Sequence, residues 1–113
     1  MKINVYQSSG GKSLLDDVSR EALPIVLTIL EGIDKDGLEN FSIKPIDKKS
    51  PKLLEIRKKD VRVFFYEENG CVNITSITNH KQKNKTENVD KQRAIERKNA
   101  MRNDPKHHLK GLN

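Results

Sequence analysis

The chain has 113 residues, of which 34% are charged and 4% aromatic, and its formal net charge is +6. That length suits one domain around a single modest, mostly aliphatic core. The lone Cys71 argues against a disulfide framework or a thiolate zinc site. No run of about 18 apolar residues and no N-terminal signal pattern occurs, so a soluble cytoplasmic protein without a membrane partner is expected.

Lys2 to Gln7 alternates Ile3 and Val5 with Asn4 and Tyr6, which predicts a short strand. Gly11-Lys12-Ser13 imitates the end of a phosphate loop but lacks its spacing, so the stretch reads as a turn with Ser13 as N-cap and Asp16 closing a capping box. A short helix over about Leu14 to Val18 precedes a longer one near Arg20 to Lys35. In the longer helix Ala22, Ile25, Val26, Ile29, Leu30 and Ile33 form one apolar stripe, with Pro24 in the first turn and Gly37 as the stop. Asn40 to Ser50 reads as a connection pinned by Phe41, Ile43 and Ile46.

A strand over Leu53 to Arg57 leads into a hairpin. Val61, Val63 and Phe65 alternate with Arg62, Phe64 and Tyr66. After Asn69-Gly70, a strong type I′ turn signal, Val72 and Ile74 alternate with Asn73 and Thr75. Counting outward, Glu68 faces Cys71, Tyr66 faces Asn73, Phe64 faces Thr75 and Arg62 faces Ile77. Placing Arg57 opposite Arg62 buries Leu54 and Ile56 and gathers Glu55, Arg57 and Arg62 on the other, uncovered face. His80, Lys81, Lys83 and Lys85 leave the last strand at the same rim.

The final helix, near Glu87 to Met101, has few apolar residues, and residues 103–113 read as a disordered tail. The charge is uneven: residues 1–80 hold 12 Lys/Arg against 12 Asp/Glu, and residues 81–113 hold 10 against 4. A basic end on a neutral body fits a polyanion-binding surface, and it also fits a solvated tail.

Leu53-Leu54-Glu55-Ile56-Arg57, Asp60-Val61-Arg62-Val63-Phe64-Phe65-Tyr66, Lys81-Gln82-Lys83-Asn84-Lys85-Thr86 and Ala94-Ile95-Glu96-Arg97, in that order, resemble the RelE/ParE toxin superfamily, and within it the HigB-like phage-associated branch. The resemblance spans residues 1–102. It implies a ribosome-dependent mRNA endonuclease acting as the toxin of a type II toxin-antitoxin pair, working without metal or cofactor and neutralised by a cognate antitoxin. Glu87 stands where that family usually has proline.

Metal-free ribonuclease chemistry needs a base, an acid and cations for the developing phosphorane charge. Arg62 matches the family's strand arginine and suits bidentate phosphate binding; its structural alternative is a pair with Glu55. Glu55 is either a general base or a holder of Arg57. His80 is either a proton donor or a plain loop histidine. Lys81, Lys83, Lys85 and Tyr66 complete the RNA-binding set.

The expected fold is α+β: a twisted, mostly antiparallel four-stranded sheet with the first strand central, two N-terminal helices on one face and a basic C-terminal helix. The alternatives are a ParE-like gyrase inhibitor without nuclease activity, or an inactive phage-derived binding module. The nuclease reading requires Arg62 to stand at an open patch.

Overall fold

A computed structural model describes residues 1–79 and 87–112. Its centre is the hairpin of β4 (Val61–Glu68) and β5 (Cys71–Asn79), closed by Asn69 and Gly70 at φ 57° and 74°. Positive φ at both positions is what a type I′ turn requires. β3 (Leu53–Lys58) pairs antiparallel with β4 and sets Arg57 opposite Arg62, as the preferred register has it. The ladder runs one pair further, Lys58 with Val61, so Lys59 and Asp60 alone form the loop.

The hairpin departs from simple alternation part-way along. Glu68 faces Cys71 and Tyr66 faces Asn73, but Phe65 then faces Ile74 and Phe64 faces Ser76. Thr75 is thus an extra residue, a β-bulge, and Arg62 faces Thr78 rather than the expected Ile77. Strict alternation from Val72 and Ile74 would turn Ile77 onto the opposite face, and the bulge brings it back beside them. Val72, Ile74 and Ile77 accordingly share one core with Val61, Val63 and Phe65.

The expected four-stranded sheet with two N-terminal helices is corrected. Six strands lie in the order β2-β3-β4-β5-β1-β6, and the sheet is mixed because β1 (Lys2–Tyr6) runs parallel to β5. Of the two helices, the first is a single 3₁₀ turn, Leu14–Asp17, capped by Ser13 and Asp16 as the sequence suggests. The second is α1 (Leu23–Asp36), which begins later than expected and keeps Pro24 in its first turn. β1 is internal but second from an edge.

The two unforeseen strands both lie at edges. β2 (Ile43–Asp47) forms within the presumed connection and carries Pro45 and Lys44; a residue without an N–H is tolerated in a strand that has a partner on one side only. β6 (Leu109–Gly111) comes from the stretch expected to be a disordered tail, which instead holds the one-turn helix α3 (Pro105–His108) and then pairs antiparallel with β1. Three residues carry too little pattern to announce a strand.

One face of the sheet packs Ile3, Val5, Val63 and Phe65 against Val26, Ile29, Leu30 and Ile33 of α1. Gly32 permits this layer to close, since a Cβ there would lie 2.9 Å from Phe41 Cζ. α2 (Asn88–Asn103) covers the other face, where Ala94 packs with Leu53 and Phe64. No helix of the described residues is long and apolar enough to cross a membrane.

Candidate nucleic-acid interface

Four helical residues advance about 6 Å and two strand residues about 6.6 Å, so a helix can match every fourth residue to alternate residues of a strand beneath it. The buried stripe of α2 is Asp90, Ala94, Lys98 and Met101. Ala94 meets Phe64, Met101 and Tyr66 line one cavity, and Arg102 grips Glu68 beside the turn with Nε–O distances of 3.1 and 3.2 Å. One turn before Ala94, Asp90 is buried as well.

This helix removes the open patch that the sequence suggested. Arg62 is 1% exposed, Glu55 2% and Tyr66 1%, so none of the three presents a surface to a polymer. Arg57 stays half-buried and places Nη2 3.2 Å from Glu55 Oε1. Arg62 and Asp90 also keep partners. Charged groups enclosed at this depth persist only with partners that compensate them, and Glu55 has one in Arg57.

Arg57, Arg62 and Thr78 lie side by side across three strands, so β5 ends at the Arg57 edge of the sheet. His80, Lys81, Lys83 and Lys85, which follow directly, lie outside the described residues.

Sequence reasoning missed four side chains on the α2 face. Arg97 donates through Nη1 to the Thr75 carbonyl at 3.3 Å and the Ser76 hydroxyl at 3.4 Å, satisfying backbone that the bulge exposes. Its guanidinium also lies 4.7 Å from the centre of the Tyr6 ring, and Tyr6 stacks on His108 with centroids 5.7 Å apart. His108 Nδ1 is 3.0 Å from the Gln7 carbonyl, so the C-terminal segment is clasped to β1. Burial is the main influence on Arg97 and lowers its pKa.

Lys98 is enclosed too. It donates to the Lys49 and Pro51 carbonyls at 3.1 and 2.7 Å, flanking the cis Ser50-Pro51 bond, and desolvation lowers its pKa although Asp47 opposes the change. A signal for Arg97 was present, since it ends the Ala94–Arg97 stretch on which the resemblance rests. For Lys98 and His108 none existed.

Several cations of the C-terminal segment remain open to solvent. Arg93, Lys106 and Lys110 are exposed and Lys91 is half-buried, while Arg102 is tied to Glu68. No protein-family model and no curated protein matches this chain, so the RelE/ParE resemblance rests on the chain's own residues.

Proposed function

We propose that this protein is a nucleic-acid-binding module of RelE/ParE-like sequence, acting on RNA by binding rather than by cutting it with a Glu55–Arg62 centre. The observation behind this reading is the burial of both residues beneath α2, whereas on the C-terminal segment Arg93, Lys106 and Lys110 stay exposed and Lys91 half-buried. The excess charge of residues 81–113 supports the same reading, and the resemblance supplies messenger RNA on the ribosome as the target. Binding of this kind needs phosphate contacts and no positioned acid–base pair.

Titration of a labelled single-stranded RNA at about 50 and about 200 mM salt tests it. Affinity should fall steeply with salt, and Arg93→Gln should weaken all sequences alike and reduce the salt slope by about one. Salt-independent binding, or none, would count against the reading.

Cleavage stands as a second reading because β5 ends beside Arg62 and Arg57, in the row Arg57–Arg62–Thr78. Mapping mRNA 5′ ends after induced expression separates the two. Intact messages are expected from the binding module, whereas in-frame cuts that vanish in Arg57→Ala would establish a nuclease.

A further inference from the structure

The two edges of the sheet are not alike. β2 is blunted by Pro45 and by the register shift beyond it, whereas β6 carries neither a proline nor a bulge. Within β6 the backbone alternates in direction. The Leu112 amide donates to the Ile3 carbonyl at 2.9 Å and the His108 carbonyl accepts from the Gln7 amide at 3.0 Å, so residues 108, 110 and 112 turn their backbone groups towards β1. Leu109 and Gly111 turn theirs outward, and the Leu109 amide already donates to the Pro105 carbonyl at the end of α3. Gly111 is thus the residue whose donor and acceptor both face the open edge.

Beside that edge runs a groove of about 360 Å³, lined by Leu27, Leu30 and Glu31 of α1 and by Ile3 and Leu112. Four of the five large apolar side chains exposed among the described residues gather along it. Leu27 and Leu112 line it, Leu23 stands one turn before Leu27, and the Met1 amino group donates at 3.1 Å to the carbonyl of Asp34, another lining residue. Such a cluster next to an unpaired strand edge marks an interaction surface.

We propose that this surface binds a second copy of the chain, edge to edge, with β6 antiparallel to its counterpart about a two-fold axis at Gly111. The register follows from the residues. Centred on Gly111, the two strands exchange both outward backbone bonds, and Lys110 stands opposite Leu112 of the second copy. Centred on Lys110, the same pairing would need the Leu109 amide, already engaged, and would set two ammonium groups face to face.

Charge complementarity favours a like partner. Val5 lies opposite Lys110 in the ladder and packs in the α1 core, so the Lys110 side chain projects on the groove side of the sheet. Leu112 and Glu31 line the same groove. A lysine set opposite Leu112 of the other copy therefore comes beside that copy's Glu31, and the symmetry repeats the pair. Two backbone bonds alone would not hold two proteins together; burial of Leu27 and Leu112 supplies the rest. The contact lies at the sheet edge on the α1 side, away from Arg93 of α2, so the inference goes beyond the RNA-binding reading and does not depend on it.

Sedimentation of the full chain from micromolar to millimolar concentration should show a reversible shift from 12.9 kDa towards twice that mass. Amide exchange at Gly111 should slow over the same range. Leu27→Glu, at an exposed site, should abolish dimerisation and leave the urea unfolding midpoint unchanged. Lys110→Glu and Glu31→Lys each turn two attractive pairs into repulsive ones and should weaken association about tenfold, and the double variant should regain most of it.

A chain that stays monomeric throughout overturns the proposal and leaves the groove to a segment of another protein. A dimer that persists in Leu27→Glu, or a double variant as weak as the single ones, overturns it as well, because the two copies would then meet elsewhere.

Discussion

Against α1 the sheet presents Val61, Val63, Phe65, Val72 and Ile74, and against α2 it presents Glu55, Arg62, Phe64, Tyr66, Asn73 and Thr75. Both sets are buried, yet they are held by different forces. The first needs only shape and area, since apolar burial is non-directional. The second joins a small apolar cluster to enclosed charges, each of which is costly unless its partner arrives with it. One face therefore tolerates change in proportion to volume lost, and the other fails when a single charge is left without its complement.

The sharpest way to test this contrast is to remove the charge and keep the volume. Arg62→Met should cost about 3–5 kcal/mol, because it removes a buried charge from the partners enclosed with it. Urea unfolding reads this directly, and a variant with the parental midpoint would show that Arg62 is not structural. On the α1 face Ile29→Ala should cost about 2–5 kcal/mol, lost transfer energy plus a cavity. Ile29→Val should recover most of that, whereas Arg62→Lys, lacking the planar fork, should recover little.

The same contrast explains what the sequence could disclose. Alternation around Asn69-Gly70 and the Ala22–Ile33 stripe are hydrophobic signals, and they led to the hairpin, the β3 register and α1. The stripe of α2 reads Asp90, Ala94, Lys98, Met101, so no hydrophobic period marks the buried side. The helix therefore looked solvent-borne and the face beneath it looked open, which is how Arg62, Glu55 and Tyr66 came to be read as a surface site. β2 and β6 were hidden for another reason. Pro45 argued against a strand except at an edge, and β6 is ordered by the His108–Tyr6 stack and the β1 ladder, contacts between residues about a hundred positions apart.

Arg97 joins these arguments at an intermediate size. It satisfies the Thr75 carbonyl at the bulge and lies over Tyr6, so Arg97→Gln should cost about 1–3 kcal/mol. Because the Tyr6–His108 stack depends on the same ring, amide exchange should accelerate in β6 and α3 before it does in β3 or β4. Uniform acceleration would mean that Arg97 does not hold the clasp.

The last effect is one of pH, and it concerns Tyr66 on the α2 face. Tyr66 is raised from 10.0 to about 12, first by desolvation and then by Glu68. Above pH 10 the unfolded chain releases this proton while the folded chain retains it, so the unfolded state binds fewer protons and stability falls with rising pH. The loss should build between about pH 10 and 12 and level off once the folded phenol also ionises. Tyr66→Phe should remove that decline without altering the neutral-pH unfolding curve by more than about 1.5 kcal/mol. Tyrosinate absorbance supplies an independent check, since the phenol that titrates near 12 should vanish in Tyr66→Phe and persist in Tyr6→Phe. Were it to titrate near 10 in the folded protein, the turn end of the α2 face would be wet, and burial would not be what holds Tyr66.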